Sequence, residues 1–218
     1  MALDVYVGSL TRYYSGDWQT VAEPADTAHA KGDREAVRRS VLRWRRDAAD
    51  AAGDPLDWSE ADGTPYFTGR PGWDGFGSLV LWAAYTEHPT LMRPVRLPEG
   101  WDADPALLPS SRKAIGSRFS QLVCNAELWL PCPFEFTFEC ADIGGRRIVV
   151  GSAIALRRQL MELNGAAWKA DRRAVADWAR APLAGDAPLE ISARYGFAVL
   201  LGLVEHAIEH RLPMKLNY

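Results

Sequence analysis

The sequence lacks an excess of positive charge, a paired-cysteine pattern and a long apolar run, and each absence excludes a class of function. The net charge of −3 and the pI near 5.8 argue against general nucleic-acid binding, which needs a positive field around phosphates. Three cysteines in a spacing without CxxC or Cys/His pairs predict reduced thiols rather than a disulfide framework or a zinc site. The longest apolar run, Phe197 to Val204, is too short to span a bilayer.

Signatures of targeting and of catalysis are missing as well. The first residues carry neither the basic region nor the apolar region of a signal peptide, which predicts a cytoplasmic protein without a membrane partner. The chain contains no GxSxG, GxGxxG, GxxxxGK[ST] or HExxH motif. These absences favour binding over catalysis, and they predict no cofactor.

Aromatic residues are what the sequence has in abundance. Nine tryptophans occur in 218 residues, and two stretches, Leu3 to Trp18 and Gly69 to Ser78, place aromatics among glycines and aspartates. Such aromatics are either satellite packing or a recognition surface. We expect Tyr6 to lie in the core. We predict a surface that binds another protein, formed by Tyr13, Tyr14, Trp18, Arg70 and Trp73.

Hydrophobic periodicity predicts an α+β fold: a helix-rich single domain, 1–218, with a small mostly antiparallel sheet and a buried C-terminal helix. The proline-rich crossing 88–109 is the candidate boundary for any subdivision. Strands are predicted at 3–7, 66–68, 134–139 and 146–150, and helices at 34–52, 79–85, 111–126, 152–164, 171–180 and 192–211.

Two of these elements rest on particular residues. A helix opened by Ser111 would bury Ile115, Phe119, Leu122 and Ala126. The glycine-rich segment 69–77 is predicted to be a loop that ends where Ser78 caps a helix. That loop could hold an anion on free backbone N–H groups, or it could simply pack its aromatics against the body.

The most enzyme-like fragment is Glu205-His-Ala-Ile-Glu-His210. Histidines four apart lie on one face of a helix and can share a metal ion, although Ala207 stands where HExxH has its glutamate. His206 and His210 are therefore weak candidates for a metal site. The alternative is that His210 and Arg211 only stabilise the helix, since cationic side chains interact favourably with the negative C-terminal end of the helix dipole.

Carboxylates supply a second enzymatic hypothesis. Glu135 and Glu139 share one face of the predicted hairpin, where they would act in acid-base catalysis or pair with Arg146 and Arg147 across the turn. A small hydrolase or transferase, with or without a metal, would gather four side chains in one pocket: Asp4, Glu135, Glu205 and His206. The arginine-rich face of helix 34–52 would be a solvated surface, a surface for an acidic protein partner or, as a third hypothesis, an RNA-binding surface.

Three segments together carry a resemblance: Asp4 to Tyr14, Glu127 to Pro131, and Glu209 to Tyr218. They resemble uncharacterised bacterial single-domain proteins, some of which are regarded as immunity proteins of toxin systems. The resemblance implies no catalytic residues. It implies a bacterial protein that sequesters a toxin through a surface of aromatic and charged side chains, in agreement with the binding surface predicted from the residues.

Overall fold

A mixed β-sheet runs through the computed structural model, which describes residues 2–20, 33–110, 116–181 and 183–218. Within these ranges the sheet has six strands in the order β2-β1-β6-β3-β5-β4, and every neighbouring pair is antiparallel except β3–β5. The strands are β1 (Asp4–Val7), β2 (Phe67–Gly69), β3 (Ala126–Leu130), β4 (Phe138–Ala141), β5 (Arg147–Ser152) and β6 (Met214–Asn217).

Helices cover both faces of this sheet. They are α1 (Leu10–Ser15), α2 (Arg34–Ala52), α3 (Gly72–Glu87), α4 (Leu107–Ser110), α5 (Ser120–Val123), α6 (Ala153–Ala167), α7 (Arg172–Arg180) and α8 (Leu189–Glu209), with a 3₁₀ turn at Trp101–Ala103.

The larger core lies between the sheet and the pair α3 and α8. Alternation along β1 and β6 directs Val5, Val7, Met214 and Leu216 into it. Helix α8 has the length and apolarity of a membrane span, but more than half of its most apolar window is buried inside the protein. Its burial against α3 and the sheet is that of a core helix.

The opposite face of the sheet holds a smaller core under α2. Val41, Trp44 and Ala48 recur at helical spacing and pack with Leu128 and Ile148 of the sheet. The indole N–H of Trp44 also donates to the carbonyl of Ala141 at 2.6 Å, which ties α2 to β4. The arginines of α2 lie mostly on its solvent side, as the sequence predicts for a solvated face.

The structure confirms the predicted α+β, helix-rich fold, and its C-terminal helix is partly buried. The strand at 3–7, the helix at 34–52 and the return strand at 146–150 agree within a few residues. The first arm of the predicted hairpin, 134–139, is displaced along the chain, because the strand that pairs with β5 covers 138–141. Phe134 instead packs into the core under α2.

The prediction that the glycine-rich segment 69–77 forms a loop is wrong. Helix α3 begins at Gly72, so Gly75 and Gly77 lie inside a helix rather than in a loop. Both glycines permit close packing: a Cβ on Gly77 would lie 2.7 Å from the ring of Trp101, and one on Gly75 would lie 3.2 Å from Tyr195. Contact with distant segments, not turn formation, explains glycine at these two positions.

The helix predicted at 111–126 is also wrong over the part of it that the structure describes. Ser111 and Ile115 lie outside the described residues, and beyond them only 120–123 is helical, whereas Ala126 begins strand β3. Strand β6, which the sequence analysis did not predict, follows Pro213 and lies between β1 and β3. The last four strand residues of the chain are therefore central to the sheet.

Candidate functional site

A cleft lies at one end of the central strands, where β6 ends and β3 begins. Tyr218 divides this cleft into two cavities. One has a volume of about 350 Å³, and we call it the tyrosine cavity. The other, of about 440 Å³, is the tryptophan cavity. The tyrosine cavity is lined by Tyr13, Tyr14, Asp142, Arg146, Lys215, Leu216 and Tyr218. The tryptophan cavity is lined by Trp73, Phe76, Gly100, Trp101, Asp102, Asn125, Ala126, Glu127, Leu216 and Tyr218.

Both aromatic stretches of the sequence reach this cleft. Helix α1, capped at Ser9, presents Tyr13 and Tyr14 to one side of Tyr218. The first turn of α3 presents Trp73 to the other side, and its ring centroid lies 5.2 Å from that of Tyr218. The fold thus brings three of the five predicted contact residues together around the last residue of the sequence.

A polar network forms the partition between the cavities. The Tyr218 hydroxyl donates to Glu127 Oε2 at 2.8 Å, and Arg146 Nη2 donates to the same oxygen at 2.6 Å. Arg146 also contacts the Tyr218 hydroxyl at 3.3 Å, and these hydrogen bonds, with the charge of Glu127, raise the pKa of Arg146. Arg146 and Glu127 therefore neutralise each other's charge and provide each other with a hydrogen-bond partner.

Lys215 is the exception in this network. Strand alternation turns it away from the core that holds Met214 and Leu216, toward the tyrosines. The side chain is 3% exposed, and Nζ has no hydrogen-bond partner among the residues that the structure describes. The ring of Tyr13, 5.5 Å away, gives Nζ a cation–π contact that is weaker than an ion pair.

The surroundings of Lys215 disfavour its charged form. Burial lowers the pKa of Lys215, and the nearby guanidinium of Arg146 lowers it further, while Asp142 and Glu127 act in the opposite direction. Burial also raises the pKa of Tyr13 to about 12, so this phenol remains protonated at neutral pH. The cavity therefore offers one desolvated amine among phenolic hydroxyl groups.

We predict that Lys215→Met raises the free energy of unfolding at pH 7 by about 1–3 kcal/mol, because methionine removes an unpartnered buried amine and fills similar volume. The stability difference between the two proteins should also narrow as pH rises from the lowered pKa of Lys215 toward 10.5, since only the unfolded wild-type chain binds an extra proton there. The three cysteines, whose pKa values burial raises, lower the stability of both proteins alike as pH rises. Urea denaturation at pH 7 and pH 9 measures both effects.

Lys169→Met is the matched control, since Lys169 is exposed and its replacement should leave both measurements nearly unchanged. Both proteins should be compared at the same pH and below about pH 10, because cysteines and then tyrosines of the unfolded chain ionise as pH rises and lower the stability of both. A loss of stability in Lys215→Met would contradict the absence of a partner for Nζ.

Two predicted contact residues lie elsewhere than expected. Trp18 is 7% exposed, its indole N–H donates to the carbonyl of Tyr13 at 3.1 Å, and its ring stacks on Tyr13. Trp18 therefore packs against Tyr13, which lines the tyrosine cavity, and is not itself a surface contact. Arg70 forms a two-pronged ion pair with buried Asp4, at 2.7 and 2.9 Å, which occupies its guanidinium.

The four side chains of the enzymatic hypothesis are not brought together. Asp4 pairs with Arg70, Glu135 with Arg158, and Glu205 with Arg157 at 3.8 Å. His206 packs on Phe67 near the end of α8. Each has its own local partner, so this set does not form one catalytic pocket. Glu139 pairs with Arg147 across the β4–β5 turn at 2.7 Å, as the alternative interpretation predicted.

A third cavity, of about 490 Å³, lies between α6, α7 and α8. Several of its polar residues already have structural partners: Asn164 exchanges two hydrogen bonds with the backbone of Ala170, and Asp171 caps α7. Arg157 pairs with Glu205. This cavity offers less chemistry than the cleft at Tyr218.

Three residues of the cleft were not predicted from the sequence: Lys215, Glu127 and Tyr218. The signal that could have revealed them is the alternation Met214-Lys-Leu-Asn217 after Pro213, which is typical of a strand with one polar face. Comparisons with protein-family models, with curated proteins and with solved structures give no match to this chain.

Proposed function

We propose that this protein is a binding protein that takes up a carboxylate in the tyrosine cavity, with Lys215 as the charged partner. The observation that carries the proposal is the buried Nζ of Lys215, which has no hydrogen-bond partner among the described residues and lies beside the cavity. An oxyanion next to Nζ would favour the ammonium form and offset the effects of burial and of Arg146. Buried polar groups without partners are rare, and a ligand is one way to satisfy them.

The aromatic walls supply the rest of the recognition. Tyrosine and tryptophan give large contact areas at a low cost in side-chain entropy, and they dominate the binding energy of many interfaces. A ligand whose carboxylate enters the tyrosine cavity can place an apolar or aromatic group against Trp73 and Trp101 in the neighbouring cavity. Because Nζ is shielded from solvent, a side chain of the cavity wall would have to shift for the carboxylate to reach it.

An aspartate or glutamate side chain of a protein partner has this chemistry, and so does a free organic acid. The protein source fits the resemblance to toxin-immunity proteins, in which the partner would be a toxin. Burying a charge pair from two chains also gives specificity, since a partner without the carboxylate leaves Lys215 unsatisfied. We therefore favour an acidic segment of a protein partner.

The test compares carboxylates with their uncharged amides by isothermal titration. Benzoate and benzamide represent the free acid, and a capped Trp-Glu-Trp peptide and its Trp-Gln-Trp analogue represent a protein segment. We expect the carboxylate of at least one pair to bind roughly tenfold more tightly than its amide, which corresponds to the value of one charged hydrogen bond. The pair that shows the preference identifies the source.

Two variants make the result specific to the cavity. Lys215→Met should abolish the preference for carboxylate, whereas Lys169→Met should preserve it. Because Lys215→Met is expected to be the more stable protein, a lost preference would not reflect unfolding. The proposal fails if both carboxylates bind no better than their amides, or if the preference survives in Lys215→Met.

A further inference from the structure

Three metal-ligating side chains meet at the C-terminal end of α8. They are His206, Glu209 and His210, and one ligand atom from each lies within 4.8 Å of the others. Glu209 Oε2 is 4.0 Å from His206 Nδ1 and 4.0 Å from His210 Nε2. Positions i, i+3 and i+4 lie on one side of the end of α8, where Glu209 is the last helical residue and His210 is the C-cap, so all three ligands come from one short segment.

The ring of Phe67 holds both imidazoles in place. Phe67 in β2 is parallel to the His206 ring within 1°, with centroids 4.0 Å apart, and its centroid lies 5.2 Å from that of His210. His206 Nδ1 is buried and has no hydrogen-bond partner among the described residues. The ring nitrogen nearest to Glu209 is thus available as a ligand, and its orientation is set by packing.

The local electrostatics favour a cation. The C-terminal end of a helix carries partial negative charge on its last carbonyl groups, and Glu209 adds a full negative charge. The neighbouring arginines are neutralised by other carboxylates: Arg211 pairs with Asp57 at 2.7 Å, and Arg157 pairs with Glu205 at 3.8 Å. Neither salt bridge uses Glu209.

We propose that His206, Glu209 and His210 bind one divalent transition-metal ion of the class that prefers imidazole, namely Zn²⁺, Ni²⁺ or Cu²⁺. Two nitrogens and one oxygen suit these ions better than Mg²⁺ or Ca²⁺, which prefer oxygen ligands. Metal–ligand bonds of about 2.0–2.2 Å require the three donors to draw closer, chiefly by rotation of the exposed Glu209 side chain. The remaining coordination positions would be open to water or to a partner's side chain.

The test uses the full chain without a histidine tag, stripped with EDTA and titrated with ZnCl₂ and then with NiCl₂ and CuCl₂. We expect one ion per chain for at least one of the three metals, and no saturable binding of MgCl₂. His206→Ala and His210→Ala should each lower the affinity by at least about tenfold. Glu209→Gln should also weaken binding, and His88→Ala, outside the cluster, should leave it unchanged.

The site is separate from the tyrosine cavity, whose lining includes none of these three residues, so each proposal can fail without the other. His210 lies at the partly exposed helix end, and its replacement should leave the thermal unfolding curve of the metal-free protein nearly unchanged. The proposal is overturned if none of the three metals binds saturably. It is equally overturned if His206→Ala and His210→Ala weaken binding no more than His88→Ala.

Discussion

Gly196→Ala is expected to lower the free energy of unfolding by about 2–3 kcal/mol, because it forces two packed helices apart. A Cβ at Gly196 in α8 would lie 2.2 Å from the carbonyl oxygen of Gly75 in α3 and 2.6 Å from its carbonyl carbon. Those atoms are helix backbone, so they cannot turn aside as a flexible side chain could. Helices α3 and α8 form the centre of the larger core, and their separation would disturb it throughout.

Gly202→Ala on the same helix provides the matched control. A Cβ there meets no atom within 4 Å, so alanine should stabilise the helix by about 0.5–1 kcal/mol through its higher helix propensity. Urea denaturation of both variants gives the comparison directly. Similar effects of the two substitutions would contradict the close approach of α3 and α8 at Gly75.

Glu60→Ala is expected to cost about 3 kcal/mol, because it removes the acceptor for three buried donors. Glu60 Oε1 accepts hydrogen bonds from the backbone N–H of Leu10 at 2.9 Å and from the indole of Trp58 at 2.6 Å. Its Oε2 accepts from the backbone N–H of Thr11 at 2.9 Å. The carboxylate thus caps the first turn of α1, fifty residues away in sequence, and Glu60 is 8% exposed.

The control for this prediction is Glu99→Ala, an exposed glutamate whose loss should change stability by less than about 0.5 kcal/mol. Since α1 carries Tyr13 and Tyr14, Glu60→Ala should also weaken the near-ultraviolet circular dichroism of the tyrosines. If Glu60→Ala unfolds at the same urea concentration as Glu99→Ala, the buried carboxylate does not hold α1.

Elements with strong local periodicity could be predicted from the sequence. Helix α2 has an apolar stripe at Val41, Trp44 and Ala48 and an aspartate cap at Asp33, and both signals lie within the element. The turn Asp142–Gly145 between β4 and β5 is local in the same sense. Local signals of this kind do not depend on what the element later packs against.

Elements shaped by distant contacts could not be predicted in the same way. Glycines at 72, 75 and 77 indicate a loop when taken alone, yet two of them make room for Tyr195, Gly196 and Trp101. Strand β6 is only four residues long, and its place in the middle of the sheet depends on pairing with β1 and β3. Backbone pairing over such separations leaves little trace in a short stretch of sequence.

The sequence by itself determined the fold class and the partly buried C-terminal helix, because composition and periodicity specify burial. Only the tertiary structure decided which of the chain's aromatic residues line the cleft at Tyr218. It buried Trp18, paired Arg70 with Asp4, and placed Tyr13 and Trp73 on either side of Tyr218. It also enclosed Lys215 without a hydrogen-bond partner for Nζ among the described residues. The surroundings of Lys215 come from α1, β6 and the β4–β5 turn, which are far apart in the sequence. The sequence around Lys215 alone therefore cannot predict them.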